Sequence, residues 1–91
     1  MPEKSTSIEE PSLEEILSSL HKVYEGRDKL AEFEEESSIF RELIPKLADT
    51  LRPLVLLMAF ALGSTATVWE VLDRTLNQRR ALKLPRPSVL S

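Results

Sequence analysis

The pattern of hydrophobic and polar residues divides this 91-residue chain into two amphipathic stretches, one continuous apolar run and a basic end. In the first stretch, apolar residues recur three or four positions apart, which places them on one face of an α-helix; they are Leu13, Ile16, Leu17, Leu20, Val23 and Tyr24. Ser12 and Glu15 have the spacing of a capping box, in which both side chains accept hydrogen bonds from backbone N–H groups at a helix N-terminus. We therefore expect a helix over residues 12–25 that ends near Gly26, after a disordered acidic lead over residues 1–11.

A second amphipathic stretch runs from residue 39 to residue 51, where apolar residues again follow helical spacing. Ser37 and Ser38 precede it and are suited to cap a helix, so we predict a second helix over about 38–51. Pro45 and Pro53 interrupt the pattern, because proline lacks the N–H that an interior helical position donates. Since proline is tolerated in the first turn of a helix, we expect a bend before Pro53. Residues 12–51 then form one amphipathic helical region.

The apolar run is the sequence RPLVLLMAFALGSTATVWE, residues 52–70, in which seventeen positions between Arg52 and Glu70 carry no charge. A helix rises about 1.5 Å per residue, so this run spans roughly 25 Å, near the lower limit for a bilayer core of about 30 Å. Tryptophan favours the interface between lipid and water, and Trp69 stands at the end of the run. We predict a transmembrane helix over residues 53–72, whose membrane-facing residues include Leu54, Leu57, Phe60, Leu62 and Trp69.

Together these patterns predict an all-α fold, a small single-pass membrane protein with an N-terminal amphipathic helical region. The chain has only two glycines and is rich in good helix formers, which favours helix over sheet. The alternative is a soluble helical hairpin or bundle that oligomerises to cover the apolar run, since so short a chain buries little surface alone.

Charge is distributed unevenly, with a net charge of −7 over residues 1–36 and +4 over residues 37–91. We expect a basic C-terminal tail over residues 73–91, where Arg74, Arg79, Arg80 and Lys83 would lie against lipid headgroups. The positive-inside rule places this tail in the cytoplasm. A span so close to the C-terminus is instead typical of a tail-anchored protein of the mitochondrion or the peroxisome, whose N-terminal part is cytosolic. The sequence therefore predicts membrane localisation without fixing the topology.

Residues with catalytic or metal-binding chemistry are sparse. The chain has no cysteine and one histidine, His21, so a metal site built from these ligands is not expected. The serines are explained as helix caps, because no general base accompanies them. We expect no enzymatic activity, no cofactor and no small-molecule substrate. The basic end lacks interleaved aromatic residues and a docking motif, so nucleic acid is not an expected partner either.

The first helix is the best candidate for function. An apolar face flanked by acidic residues is typical of a helix that docks in a groove of another protein, and the expected partner-binding residues are Leu13, Ile16, Leu17, Leu20 and Tyr24. Packing of this face against residues 39–51 explains the pattern equally well. We predict a non-catalytic, membrane-anchored adaptor or accessory subunit that binds membrane or membrane-proximal proteins and the bilayer, and that forms a homo-oligomer. The alternatives are a soluble oligomeric helical scaffold subunit and a small pore-forming or lysis-type membrane protein.

Overall fold

Two helices followed by three strands make up the chain over residues 10–87, the part that the computed structural model describes. The elements are α1 (Leu13–Gly26), α2 (Leu30–Thr50), β1 (Leu54–Leu62), β2 (Ala66–Asp73) and β3 (Gln78–Pro85). The strands form one antiparallel sheet in the order β1–β2–β3. The fold is therefore α+β, and the predictions of an all-α membrane protein and of an all-α soluble bundle are both wrong.

Helix α1 confirms the first predicted helix. The Ser12 hydroxyl accepts a hydrogen bond from the Glu15 N–H at 3.1 Å, and the Glu15 carboxylate accepts one from the Ser12 N–H at 2.8 Å. The helix ends at Gly26. Asp28 in the following turn has a φ of 59°, a left-handed conformation that aspartate tolerates better than most residues, and the chain reverses into α2.

Helix α2 begins at Leu30, well before the predicted start near residue 38. Ser37 lies inside the helix, where its hydroxyl donates to the Glu34 carbonyl at 3.2 Å. The prediction of a helix cap at Ser37 or Ser38 is wrong, because the helix continues through the acidic residues that precede these serines. Pro45 lies within α2 and is exposed to solvent.

The predicted transmembrane helix over residues 53–72 is replaced by β1, a tight turn and most of β2. The turn residues 63–65, Gly-Ser-Thr, split the apolar run into two strand-length pieces, and the Gly63 N–H donates to the Ala66 carbonyl at 2.8 Å to close the hairpin. Since β2 also contains β-branched Thr67, Val68 and Val71, it suits a strand better than a helix. The run is apolar because most residues of β1 and β2 are buried or half-buried.

No helix within residues 10–87 combines the length and the apolar character needed to cross a bilayer. The prediction of single-pass membrane localisation, with tail anchoring as one option, is therefore wrong. Trp69, which we expected at a lipid interface, is only 2% exposed and lies in the hydrophobic core.

The core lies between the helical hairpin and one face of the sheet, called here the core face. Side chains from α1, α2, β1 and β2 meet there: Ile16, Leu17, Leu20, Tyr24, Phe40, Ile44, Leu56, Ala59, Leu62, Trp69 and Val71. Strand β1 has irregularities in its register between Leu56 and Met58 and between Ala59 and Ala61. Such bulges bend a strand and interrupt its two-residue alternation.

The side of β1 that faces away from β2 is covered by α1. The Ser19 hydroxyl accepts a hydrogen bond from the Ala59 N–H at 3.0 Å and donates to the Ile16 carbonyl at 2.7 Å. The Arg27 guanidinium donates to the Leu62 carbonyl at 2.9 Å. Helical side chains thus satisfy backbone groups that an edge strand would otherwise leave free.

Candidate interaction surface

Strand β3 is the edge strand opposite β1. Among the described residues, no strand pairs with the edge of β3 that points away from β2. Six of its eight residues are exposed to solvent, and Leu82 and Leu84 are half-buried. An edge strand of this length presents a row of backbone donors and acceptors that can pair with another chain.

The hydrogen bond after β3 shows which backbone groups point outward. The Arg86 N–H donates to the Thr65 carbonyl at 2.9 Å, and residues 65 and 86 continue the register that pairs Ala66 with Pro85. Because successive residues in an antiparallel strand direct their backbone groups to opposite sides, the even-numbered residues of β3 bond to β2. The N–H and C=O groups of Arg79, Ala81 and Lys83 therefore point away from the sheet. We call this set of outward backbone groups the open edge.

Side chains along the open edge alternate between the two faces of the sheet. Arg80, Leu82 and Leu84 share the core face, because Leu82 pairs with buried Trp69 and Leu84 with buried Thr67. The side chains of Arg79, Ala81 and Lys83 lie on the opposite face, called here the outer face.

Three basic side chains line β3, and two of them are paired with acids of β2. The guanidinium of Arg79 is 3.2 Å from the Glu70 carboxylate, and that of Arg80 is 3.4 Å from the Asp73 carboxylate. Lys83 has no ion-pair partner within residues 10–87. Since both pairs are solvent-exposed on the arginine side, they are weak and exchangeable. The edge thus has a local excess of positive charge.

Two large hydrophobic residues of β1 are exposed, Met58 at 43% and Phe60 at 51%. Phe60 lies with Glu70 and Ala81 around a shallow depression of about 160 Å³ on the outer face. The apolar surface of β1 thus extends towards the basic side chains of β3.

The C-terminal end of β3 is fixed by a buried cluster that we call the Arg86 cluster, made of Arg86, Glu32, Glu36 and Tyr24. Arg86 is 4% exposed, and its guanidinium contacts Glu32 at 2.5 Å and Glu36 at 3.3 Å. The same group lies 5.2 Å from the centre of the Tyr24 ring, and the Tyr24 hydroxyl donates to Glu36 at 2.5 Å. Two ion pairs and a cation–π contact therefore tie the end of β3 to both helices.

Burial and hydrogen bonding shift the ionisation of this cluster. Burial, together with the hydrogen bond to Glu36, raises the pKa of Tyr24 well above its ordinary value of 10.0. The hydrogen bond from Arg86 lowers the pKa of Glu32, and Lys29 contributes in the same direction. Burial works against the charge of Arg86, but its hydrogen bond to Glu32 and its attraction to Tyr24 and Glu36 raise its pKa. Arg86 and Glu32 therefore stay charged at neutral pH, and the cluster anchors β3 beside the helices.

The residues predicted to bind a partner lie in the core of this chain. Ile16, Leu17, Leu20 and Tyr24 are at most 6% exposed, and Leu13 is half-buried. They pack with α2, the packing that the sequence left as the alternative, and with the sheet. Partner binding through this face stays a prediction, and it would require the helical hairpin to move away from the sheet.

The other two groups of predicted site residues are dispersed. Of the residues assigned to the membrane span, Leu62 and Trp69 are buried, Leu54 and Leu57 are half-buried, and Phe60 is exposed. Of the basic flank, Arg79, Arg80 and Lys83 come together on β3. Arg74 lies instead in the turn after β2, where its N–H donates to the Pro53 carbonyl at 3.2 Å.

A larger cleft of about 530 Å³ lies at the N-terminal end of β1. Its apolar lining includes Pro11, Ile16 and Leu54. Its charged groups already face opposite charges, with Arg52 3.7 Å from Asp49 and Arg74 3.8 Å from Glu10. The cleft therefore offers apolar volume without a convergent set of polar groups, and it is a weaker candidate than the open edge.

Sequence reasoning missed both β3 and the Arg86 cluster. The signal for β3 was present, because in QRRALKLP, residues 78–85, leucines alternate with polar residues, as in a half-buried strand. No local signal links Arg86 to Glu32 and Glu36, since these residues are about fifty positions apart in the chain.

Comparisons of this chain with protein-family models, with curated proteins and with solved structures find no match, so its function must be argued from the geometry above.

Proposed function

We propose that this chain is a non-catalytic protein-binding domain that adds an extended segment of a partner protein to the open edge of β3. One observation carries the proposal: the backbone N–H and C=O groups of three alternate residues, Arg79, Ala81 and Lys83, point away from the sheet. Strand addition of this kind uses main-chain hydrogen bonds for affinity and alternate side chains for specificity.

The edge is held in place for such a role. Strand β3 pairs with β2 along its whole length, and the Arg86 cluster fixes its end. A preorganised edge loses little conformational freedom when a segment binds, so more of the interaction energy appears as affinity.

A second copy of this chain is a poor occupant of the edge. Antiparallel pairing of two β3 strands centred on Ala81 would use the outward groups of all three open-edge residues, and it would place Arg79 of each copy opposite Lys83 of the other. Like charges directly opposite each other destabilise strand pairing. Charged edge residues also protect against aggregation, so the bases disfavour self-association while leaving the edge open to a different chain.

The test uses a blocked neutral peptide with the sequence Thr-Val-Gln-Leu-Ala-Val-Gln-Val-Thr as an extended probe. It is titrated to millimolar concentration into the full chain while backbone amide resonances are followed by NMR. We expect the largest shifts, and slowed hydrogen exchange, at the amides of Arg79, Ala81 and Lys83. Shifts confined to the helices, or no binding, would overturn the proposal.

Two variants at one position separate backbone pairing from side-chain effects. Ala81→Pro removes an outward N–H, and proline is accepted on an edge strand where its nitrogen faces solvent. Ala81→Val keeps the N–H and suits a strand. We expect at least tenfold weaker peptide binding by the proline variant and unchanged binding by the valine variant. Equal affinity of the two variants would contradict strand addition.

A further inference from the structure

We infer that the open edge selects partner segments that carry acidic residues four positions apart, an inference that rests on the proposed function. Arg79 and Lys83 are themselves four positions apart and lie on the same outer face. In a strand added beside β3, the residues opposite them also lie on that face, because directly paired residues of neighbouring strands share a face. Two carboxylates with this spacing would each meet one base.

The remaining positions of the added segment follow from the same register. The residue between the two acids on the outer face lies opposite Ala81, next to the depression beside Phe60. On the core face, the two intervening residues lie opposite Arg80 and half-buried Leu82. An apolar side chain opposite Leu82 would extend the core face of the sheet. The preferred segment is therefore acidic, apolar, small, variable and acidic, in the antiparallel direction.

The charges around the edge support an acidic occupant over a basic one. Lys83 has no acidic partner within the described residues, and the arginines at 79 and 80 keep half or more of their side-chain surface exposed despite their ion pairs. A carboxylate from the added strand can share Arg79 with Glu70, since a guanidinium has five N–H donors. A basic residue at the same position would be repelled by Arg79, which already pairs with Glu70.

The closing experiment compares three peptides on the full chain by the NMR titration described above. The neutral probe is matched by one with glutamate at both glutamine positions and by one with lysine at both. We expect the glutamate peptide to bind about fivefold more tightly than the neutral probe at low ionic strength, a value within the range for two exposed ion pairs. The lysine peptide should bind more weakly than either. Because such pairs are screened, the preference should shrink as salt is raised to about 1 M.

Matched variants assign the preference to the two bases. The double variant Arg79→Gln with Lys83→Gln should bind the glutamate and neutral peptides equally. The control double variant, Lys22→Gln with Lys46→Gln, makes the same change in net charge at exposed helix positions, and it should retain the preference. Loss of the preference in both double variants would show a general charge effect and overturn the inference.

The outcomes also separate this inference from the proposed function. If the neutral and glutamate peptides bind with equal affinity and both lose binding to Ala81→Pro, strand addition stands and the acidic preference is wrong. If the glutamate peptide binds Ala81→Pro as tightly as the unaltered chain, the bases attract acids without strand pairing, and the proposed function is wrong. Failure of all three peptides to bind would overturn both.

Discussion

Removing Arg86 is expected to be more destabilising than removing any exposed arginine of this chain. Glu36 is 7% exposed in the unaltered chain, and in Arg86→Leu it would lose the guanidinium but keep the Tyr24 hydroxyl as its hydrogen-bond donor. Breaking a buried ion pair by removing one partner costs about 3–5 kcal/mol. Because Tyr24 still compensates part of the charge, we expect a loss of about 3 kcal/mol, the lower end of that range.

The remaining contacts of Arg86 do not change this value much. Its hydrogen bonds to the Gly63 and Ser64 carbonyls are long, at 3.5 and 3.3 Å. These two residues are exposed, so their carbonyls can accept hydrogen bonds from water when the guanidinium is gone. A chain of this length has a total stability of roughly 5–14 kcal/mol, so the variant should remain folded in water.

The double variant Arg86→Leu with Glu36→Leu tests the cause of the loss. It removes both buried charges and leaves the Tyr24 hydroxyl without its acceptor Glu36, which costs about 1–3 kcal/mol. We therefore expect the double variant to be more stable than Arg86→Leu by about 1 kcal/mol, as found when buried ion pairs are replaced by apolar residues. The effects of the two substitutions should be far from additive.

The assay is urea unfolding followed by tryptophan fluorescence, because Trp69 is the only tryptophan and is buried in the core. Arg41→Leu is the matched control, since Arg41 forms an exposed ion pair with Glu14 at 2.6 Å; its removal should change the unfolding midpoint little. Additive losses in the double variant, or equal losses from Arg86→Leu and Arg41→Leu, would refute the reasoning.

Three further predictions concern buried hydroxyl groups. Thr67→Val should raise the free energy of unfolding by about 1 kcal/mol, because the Thr67 hydroxyl is buried with no hydrogen-bond partner in the described part of the chain; a lower urea midpoint would contradict this. Ser19→Ala should lower it by about 1–3 kcal/mol, since it leaves the buried Ala59 N–H unpaired; an unchanged midpoint would show that water replaces the hydroxyl. Tyr24 is the only tyrosine, and its pKa is raised in the folded state, so stability should fall as the pH rises above about 10. Tyrosinate absorbance should therefore appear together with unfolding, whereas its appearance near pH 10 in a folded chain would refute the burial of this hydroxyl.

The helical half of the fold is readable from the sequence, because its signals are local. The capping box of Ser12 and Glu15 lies within one helical turn, and Gly26 marks the end of the same helix. The apolar face of α1 was also identified, although its main contacts, with α2 and the sheet, are made within this chain. Amphipathic spacing shows that a face is buried without showing what buries it.

The sheet half was misinterpreted because an apolar run is compatible with both a membrane helix and buried strands. The bulges next to Leu57 and Phe60 interrupt the alternation that would have identified β1. Two signals in the sequence favoured strands over a helix. Residues 63–65 break the apolar run, and Thr67, Trp69 and Val71 on the core face alternate with Glu70 on the outer face. The open edge could not be predicted, because it depends on the strand order and not on any one segment.

The two sides of this sheet differ in a way that limits how many chains it can join. Ser19 of α1 and Arg27 just after it bond to backbone groups on the β1 side, so within residues 10–87 the β3 side is the one left open. A domain with one receptive side and one sealed side cannot propagate head to tail into a filament. Under the proposed function it would bind one segment per copy, and growth of the extended sheet would end at β1.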